Sequence, residues 1–260
     1  MLLEGRVAIV AGAGPGLGRE IAVGLAREGA DLVLGAPRIE QAASVADEVR
    51  GLGRRAEAVG LEMGDAESCE AIVKTCAEVL GRVDVLVANA ADDGGTRLFD
   101  DDLDLDEWRR VMEANLWGML QVGRAAVPAL ASVGGGRIVF LNTAPVWRDQ
   151  PGRGAHAVAT AALVSATRTL AAELGPLGIR VNGVHPGTVW GPAVKARLRA
   201  LALERGSTPE ALYRELIAES ALGYLPRPAE VAGAVLFLAS DLSRPVTGQT
   251  LSVDAGRGLS

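Results

Sequence analysis

Three glycines near the start of the chain have the spacing of a phosphate-binding loop. Gly12, Gly16 and Gly18 follow a short apolar run and precede a helical pattern that begins at Leu17. Glycine permits a tight turn there and lets the backbone approach a pyrophosphate closely, while the amides at the helix N-terminus face the phosphates. The pattern therefore predicts a dinucleotide-binding loop in which Leu17 also takes part.

The end of the second apolar run bears on the choice of dinucleotide. An acidic residue at this point would accept a hydrogen bond from the 2′-hydroxyl of NAD. The chain instead has Gly35-Ala36-Pro37-Arg38, without a carboxylate. Arg38 can pair with a 2′-phosphate, so the sequence favours NADP as the cofactor, with NAD as the alternative.

Short apolar runs alternate with amphipathic stretches along the chain. This alternation predicts a sheet that would position the glycine loop and Arg38 at one of its edges. Strands that are apolar on both faces and alternate with helices indicate a parallel sheet covered on both sides. We therefore predict a single Rossmann-type α/β domain over residues 1–260, with a doubly wound sheet of about seven strands. The predicted strands are 7–10, 31–34, 56–61, 83–88, 137–141, 180–185 and 250–253.

A long insertion follows the sixth predicted strand. Residues 188–227 contain two amphipathic stretches, 193–205 and 209–220. Ligands of doubly wound sheets bind beyond the carboxyl ends of the strands, so these stretches predict a helical lid over the site. Trp190, at the start of the insertion, has two interpretations, as part of an aromatic substrate pocket or as a residue that packs the lid.

Composition limits the kinds of partner. The net charge of −6 and the pI of about 5.1 disfavour nucleic acid and anionic membranes, which need a basic surface. Cys69 and Cys76 have no metal-ligand pattern, so we expect free thiols and no metal. No apolar run is long enough to span a membrane and no secretory signal is evident, so we expect a soluble cytoplasmic protein with a small-molecule substrate.

With these residues in place, the chain resembles the short-chain dehydrogenase/reductase family over nearly its whole length. The glycine loop matches the family's cofactor motif, and Asn89 lies in a variant of its Asn-Asn-Ala-Gly motif. Asn115 matches a helix asparagine that supports a proton relay. Pro186 and Gly187 match a signature that lies against the nicotinamide, and Glu62 is similar to an acidic residue near the adenine.

The residues that carry the family's proton chemistry are replaced. The resemblance implies a serine, a tyrosine and a lysine, and the matching positions, thirteen and four residues apart, hold Thr143, His156 and Thr160. Thr143 keeps a hydroxyl for the substrate oxygen, and Thr160 can bond a ribose hydroxyl without carrying charge. Imidazole exchanges protons near neutral pH without help from a lysine. The expected catalytic residues are therefore Asn115, Thr143, His156 and Thr160.

Three functions are compatible with this pattern. The first is hydride transfer between NADP(H) or NAD(H) and a small carbonyl or alcohol, with His156 in the role of the tyrosine. The second is non-redox chemistry, such as dehydration, isomerisation or cyclisation, on a scaffold that retains the cofactor. The third is a catalytically inactive partner of an active homologue. The intact glycine loop favours cofactor binding and disfavours a purely structural role.

Two predicted helices, residues 105–130 and 154–174, are similar to those that pair between subunits in this family. The small side chains of Ala155, Ala159, Ala162 and Ala166 allow close packing. The resemblance therefore implies a homotetramer or a homodimer.

Overall fold

Seven parallel strands form one sheet in the computed structural model, which describes residues 1–89, 105–142 and 152–257. The strand order is β3-β2-β1-β4-β5-β6-β7, so the winding reverses between β1 and β4. The strands are β1 (Val7–Ala11), β2 (Asp31–Ala36), β3 (Ala56–Gly60), β4 (Val85–Ala88), β5 (Gly136–Leu141), β6 (Ile179–His185) and β7 (Thr250–Ser252). The predicted doubly wound Rossmann-type sheet is confirmed.

Helices cover both faces of this sheet. Helices α1, α2 and α9 pack on one face, and α3, α5 and α6 pack on the other. No helix in the described ranges is both long and apolar enough to cross a membrane. The helices are α1 (Leu17–Arg27), α2 (Ile39–Gly51), α3 (Ala66–Leu80), α4 (Leu105–Met112), α5 (Gly118–Ser132), α6 (Gly154–Leu174), α7 (Pro192–Arg205), α8 (Pro209–Ala218) and α9 (Pro228–Ala239).

The strand sequences explain the two-sided core. All five residues of β1 are buried, and alternate side chains enter opposite faces of the sheet. Ala8 and Val10 join the apolar cluster under α1, α2 and α9, whereas Ile9 and Ala11 join the cluster under α3, α5 and α6. A strand buried on both sides needs a continuous apolar run, which is the pattern seen in the sequence.

Two helical regions differ from the prediction. The stretch 105–130 is not one regular α-helix, because a π-helical turn, Glu113–Trp117, separates α4 from α5. Helix α9, Pro228–Ala239, was not predicted. It is apolar nearly all round, so the polar stripe that reveals an amphipathic helix is missing.

The alanines of α6 do not all face outward. Ala155 and Ala159 are fully buried within the protomer, and Ala159 belongs to the core under α6. Their small size therefore serves close packing of α6 on its own sheet. These two residues do not support the subunit pairing that was expected of them.

Both cysteines are free and buried. Burial raises the pKa of the Cys69 thiol to about 11 and that of Cys76 to about 12, and nearby carboxylates add to both shifts. Because the thiolate is the reactive form, both side chains act as small apolar groups of the core at neutral pH.

Candidate cofactor and active site

The glycine loop is tied to the strands on either side of β1. The backbone N–H groups of Gly12 and Ala13 both donate to the carbonyl of Gly35 in β2, at 2.8 Å. On the other side, the Asn89 backbone N–H donates to Ala11 at 2.7 Å and its Nδ2 donates to the Gly12 carbonyl at 2.9 Å. Asn89, at the end of β4, therefore fixes the shape of the loop.

Glycine is required at two points of this loop. Gly16 has a φ of 105° and precedes α1 without a side chain that caps the helix, which leaves first-turn N–H groups at Leu17 and Gly18 available to a ligand. A Cβ placed on Gly18 would lie 2.1 Å from the carbonyl oxygen of Gly12 and 3.1 Å from Asn89 Nδ2. The helix start therefore rests directly on the turn, as close packing in a dinucleotide loop requires.

A cavity of about 510 Å³ lies beside the loop. Its volume falls within the usual range for a small-molecule site. Glu62 lines it, as expected for a residue near an adenine. Its walls come from the loop, the segments after β2, β3 and β4, the start of α2, helix α4 and the π-helical turn. The lining residues are Gly12, Gly14, Ala36, Pro37, Gln41, Leu61, Glu62, Met63, Gly64, Asn89, Arg110, Glu113 and Ala114. These residues fit the adenosine half of a dinucleotide.

Several residues of this wall were not identified from the sequence. Gln41 lies on α2, and its Oε1 is 3.6 Å from the Cβ position of Gly14. Arg110 and Glu113 reach the cavity from α4 and the π-helical turn. Arg38 is exposed at the residue before α2 and is not part of the cavity lining. The signal in the sequence that could have identified Gln41 is its position on the first turn of α2, three residues after Arg38.

Asn115 lies within the π-helical turn between α4 and α5. It is buried, and its Nδ2 donates to the carbonyl of Val111 at 2.9 Å. A π-turn is frequent at functional sites because it shifts a side chain out of the regular helical register. Helix α6 packs against this turn, which brings the Asn115 segment to the helix that carries two other predicted catalytic residues, His156 and Thr160.

His156 and Thr160 lie one turn apart on α6, on the same face of the helix. Both point inward, with 0% of His156 and 2% of Thr160 exposed. Thr143 lies outside the described residues, so its position relative to His156 stays a prediction. The residue before it, Asn142, is 2% exposed, and both atoms of its side-chain amide have no hydrogen-bond partner within the described part of the chain. This buried amide was not identified from the sequence.

Pro186 and Gly187 follow β6 directly, beside the last strand of the sheet. Gly187 has a φ of 58°, and a Cβ placed there would lie 2.6 Å from the Cβ of Asp254. The Val253 N–H donates to the carbonyl of His185 at 2.7 Å. The loop that is expected to face the nicotinamide is therefore backed by the C-terminal segment of the chain.

The pKa of His185 leads to a testable effect on stability. Burial lowers this pKa from 6.5 to about 4, against an opposing effect of the Asp254 carboxylate. The unfolded chain therefore takes up the proton first, and stability falls as the pH is lowered from 6.5 towards 4. We expect the free energy of unfolding to be about 2 kcal/mol lower at about pH 5 than at about pH 7.

Urea denaturation at both pH values tests this expectation. His185→Leu removes the titrating group, so the variant should lose most of this difference even if its stability at neutral pH is lower. A variant whose stability depends on pH as strongly as that of the natural chain would show that His185 is not the cause.

The insertion after β6 forms a helical pair with its own small core. Leu198, Ala202 and Leu212 are buried between α7 and α8. The rings of Trp190 and Tyr213 lie 4.5 Å apart, and Lys195 Nζ lies 5.2 Å from the Trp190 ring. Trp190 therefore packs against the lid, which supports the second of its two interpretations.

Comparison with known proteins places the chain among reductases and dehydrogenases. Residues 12–257 match the family model described as enoyl-(acyl carrier protein) reductase. The short-chain reductase protein NovJ of Streptomyces niveus is 38% identical, over 96% of this chain and 93% of that protein. The 7alpha-hydroxysteroid dehydrogenase of Escherichia coli K12 is 31% identical, over 98% of this chain and 94% of that protein.

A solved structure has the same fold as this chain and, like the relatives above, matches it over nearly its whole length. The crystal structure of carveol dehydrogenase from Mycobacterium avium in complex with NAD superposes with a TM-score of 0.90. It is 33% identical and covers 100% of this chain and 99% of its own. The likeness therefore extends over the whole fold described above.

Proposed function

The chain belongs to the short-chain dehydrogenase/reductase family, and we propose that it transfers a hydride between NADP, or NAD, and a small carbonyl or alcohol. Its relatives in this family are oxidoreductases. One observation carries this proposal. His156, whose imidazole can donate or accept a proton, is fully buried on α6, where the helix packs against the turn of Asn115. A buried proton donor in a chain that retains a dinucleotide loop is what such a reaction needs.

The cofactor would be held along the carboxyl ends of the strands. First-turn amides of α1 would bind the pyrophosphate, and Glu62 would contact the adenosine. When bound, the nicotinamide supplies or accepts the hydride. The residues proposed to hold the cofactor are Gly12, Gly16, Leu17, Gly18, Arg38, Glu62, Asn89, Pro186 and Gly187.

NADP is the proposed preference. Strand β2 ends in Gly35-Ala36 and offers no carboxylate to the 2′-hydroxyl of NAD. Arg38 lies just beyond it and can pair with a 2′-phosphate, whereas Gln41 in the cavity wall can bond either a hydroxyl or a phosphate. The carveol dehydrogenase structure holds NAD, so NAD remains the alternative.

His156 would exchange a proton with the substrate oxygen. In reduction, the imidazolium donates this proton as the carbonyl becomes an alcohol, and in oxidation the neutral imidazole removes it. Thr143 would hold the same oxygen through its hydroxyl, Asn115 would support the proton path and Thr160 would bond a ribose hydroxyl. An imidazole reaches less far than a phenol, so the substrate sits deeper or a water bridges the gap.

A turnover screen tests the reaction class. The natural protein is mixed with NADPH or NADH and a panel of ketones and aldehydes, and loss of nicotinamide absorbance is followed. We expect oxidation that depends on a carbonyl compound and is faster with NADPH. Tight binding of NADPH without turnover of any carbonyl would contradict hydride transfer and favour non-redox chemistry on the same scaffold.

We also propose that the chain is a homotetramer or homodimer. Leu105 on α4, Trp117 on the π-helical turn and Val158 on α6 are large apolar residues exposed on the protomer. Exposed apolar groups on adjacent helices are typical of an interaction surface. The proposal of self-association therefore rests on these three exposed residues and not on Ala155 and Ala159, which are buried.

Trp117→Glu should weaken this association, because the substitution places a charge in an apolar contact. Light scattering of the natural chain at micromolar concentration should give a multiple of 26.8 kDa, and the variant should give a lower mass. Leu203→Glu, on the exposed side of α7, is the matched control and should leave the mass unchanged. A monomeric natural chain would contradict the proposal.

A further inference from the structure

Arg257, near the end of the described chain, joins three separate segments. Its Nε and Nη2 donate to Glu219 Oε2 at 3.0 and 2.6 Å, at the C-terminal end of α8. Its Nη1 donates to Thr188 Oγ1 at 2.5 Å, in the loop that follows Gly187. The Arg257 side chain is only 13% exposed, whereas its carboxylate partner Glu219 is 39% exposed. One guanidinium therefore links the lid to the loop after β6.

The backbone around Arg257 reinforces the same link. The carbonyl of Ala255 accepts hydrogen bonds from Ser220 Oγ at 2.7 Å and from the Leu222 N–H at 3.1 Å. Ala255 has a φ of 58°, a left-handed conformation that alanine rarely adopts. Such a conformation persists where the surrounding structure holds it, and here it presents the carbonyl to the segment after α8.

We propose that Arg257 is a positioning residue that couples the lid of α7 and α8 to the loop Pro186-Gly187-Thr188 and so holds the nicotinamide end of the cofactor site in its binding geometry. The inference rests on the proposed function, since it assumes that this loop faces the nicotinamide. Charge-assisted hydrogen bonds from a planar guanidinium fix both distance and direction. Loss of the guanidinium leaves Thr188 and Glu219 without their common donor, and the loop and the lid then move independently.

The two ends of the cofactor site are built from different parts of the chain. The cavity assigned to the adenosine half is lined by residues between Gly12 and Ala114. The Arg257 contacts lie within residues 188–257. A change at Arg257 should therefore weaken binding of the nicotinamide half and leave the adenosine half unaffected.

Calorimetry with two ligands measures this separation. NADPH contains both halves, whereas 2′-phospho-ADP-ribose lacks the nicotinamide. We expect Arg257→Gln to weaken NADPH binding by about tenfold, the size of effect usual for one lost charge-assisted contact, and to leave 2′-phospho-ADP-ribose binding unchanged. Thr188→Val, which removes one acceptor, and Glu219→Gln, which removes the charge of the other, should show the same selective loss to a smaller degree. Arg257→Lys should recover part of the affinity, because an ammonium can reach only one partner well.

Arg244→Gln, an exposed arginine in the same C-terminal region, is the matched control and should bind both ligands as the natural chain does. Equal weakening of both ligands by Arg257→Gln would indicate general loosening of the fold and would overturn the coupling. Unchanged binding of both ligands would overturn it as well. If the natural chain binds neither ligand, the proposed function itself fails and the coupling fails with it.

Discussion

Replacement of His156 by phenylalanine is expected to lower turnover by about 100-fold or more, which is the usual contribution of a general acid or base. Phenylalanine fills the buried space of the imidazole but cannot donate or accept a proton. Because the proposal has His156 act on the substrate oxygen and the glycine loop hold the pyrophosphate, the affinity for NADPH should stay nearly unchanged. Steady-state rates with the best carbonyl substrate, together with calorimetric titration of NADPH, measure both quantities.

A second variant separates loss of proton transfer from damage to the fold. His156→Tyr combined with Thr160→Lys restores the tyrosine and lysine that the family resemblance implies at these positions. A phenol stays protonated to higher pH than an imidazolium, so the reduction rate of this variant should persist to higher pH than that of the natural chain. Unaltered turnover in His156→Phe would refute the assignment of His156, whatever the double variant does.

Replacement of Gly18 by alanine is expected to weaken NADPH binding by about 100-fold, because the added methyl group cannot be accommodated without moving backbone. The new Cβ would lie 2.1 Å from the carbonyl oxygen of Gly12 and 3.1 Å from the Cα of Ala13. Relief requires the start of α1 to move away from the turn, which displaces the amides that bind the pyrophosphate. Calorimetric titration with NADPH gives the change in affinity.

Gly24→Ala is the matched control in the same helix. The nearest atom to a Cβ at Gly24 is the Cβ of Ala232 at 3.9 Å, which is ordinary contact. Alanine favours the helical interior over glycine, so this variant should be as stable as the natural chain or more so, with unchanged NADPH affinity. Equal affinities in Gly18→Ala and Gly24→Ala would contradict the role of Gly18 as the contact between helix and turn.

The sequence predicted the sheet well because strands buried on both faces must be apolar throughout. β1 and β4 are visible as continuous apolar runs, and α6 as the stretch 154–174. Helix α9 was missed because it is apolar on nearly every side and so lacks an amphipathic pattern. The π-turn at Asn115 was missed because its sequence, Glu113–Trp117, continues the helical pattern of its neighbours.

The candidate site could be proposed from the sequence where its chemistry is local. The spacing of Gly12, Gly16 and Gly18 indicates the glycine loop. His156 and Thr160 are recognisable within one helix as the residues at the positions where the resemblance implies a tyrosine and a lysine. The Arg257 contacts join residues 69 and 38 positions apart in the chain, so no local pattern reveals them. The cavity wall from α4 likewise depends on tertiary packing.

We propose that this chain holds a nicotinamide dinucleotide, with His156 and Thr160 at the positions where the resemblance implies a tyrosine and a lysine. Calorimetric titration of the natural protein with NADPH and with NADH tests this proposal most directly. We expect saturable binding of one dinucleotide per chain, tighter for NADPH than for NADH. Absence of saturable binding for both dinucleotides would contradict it.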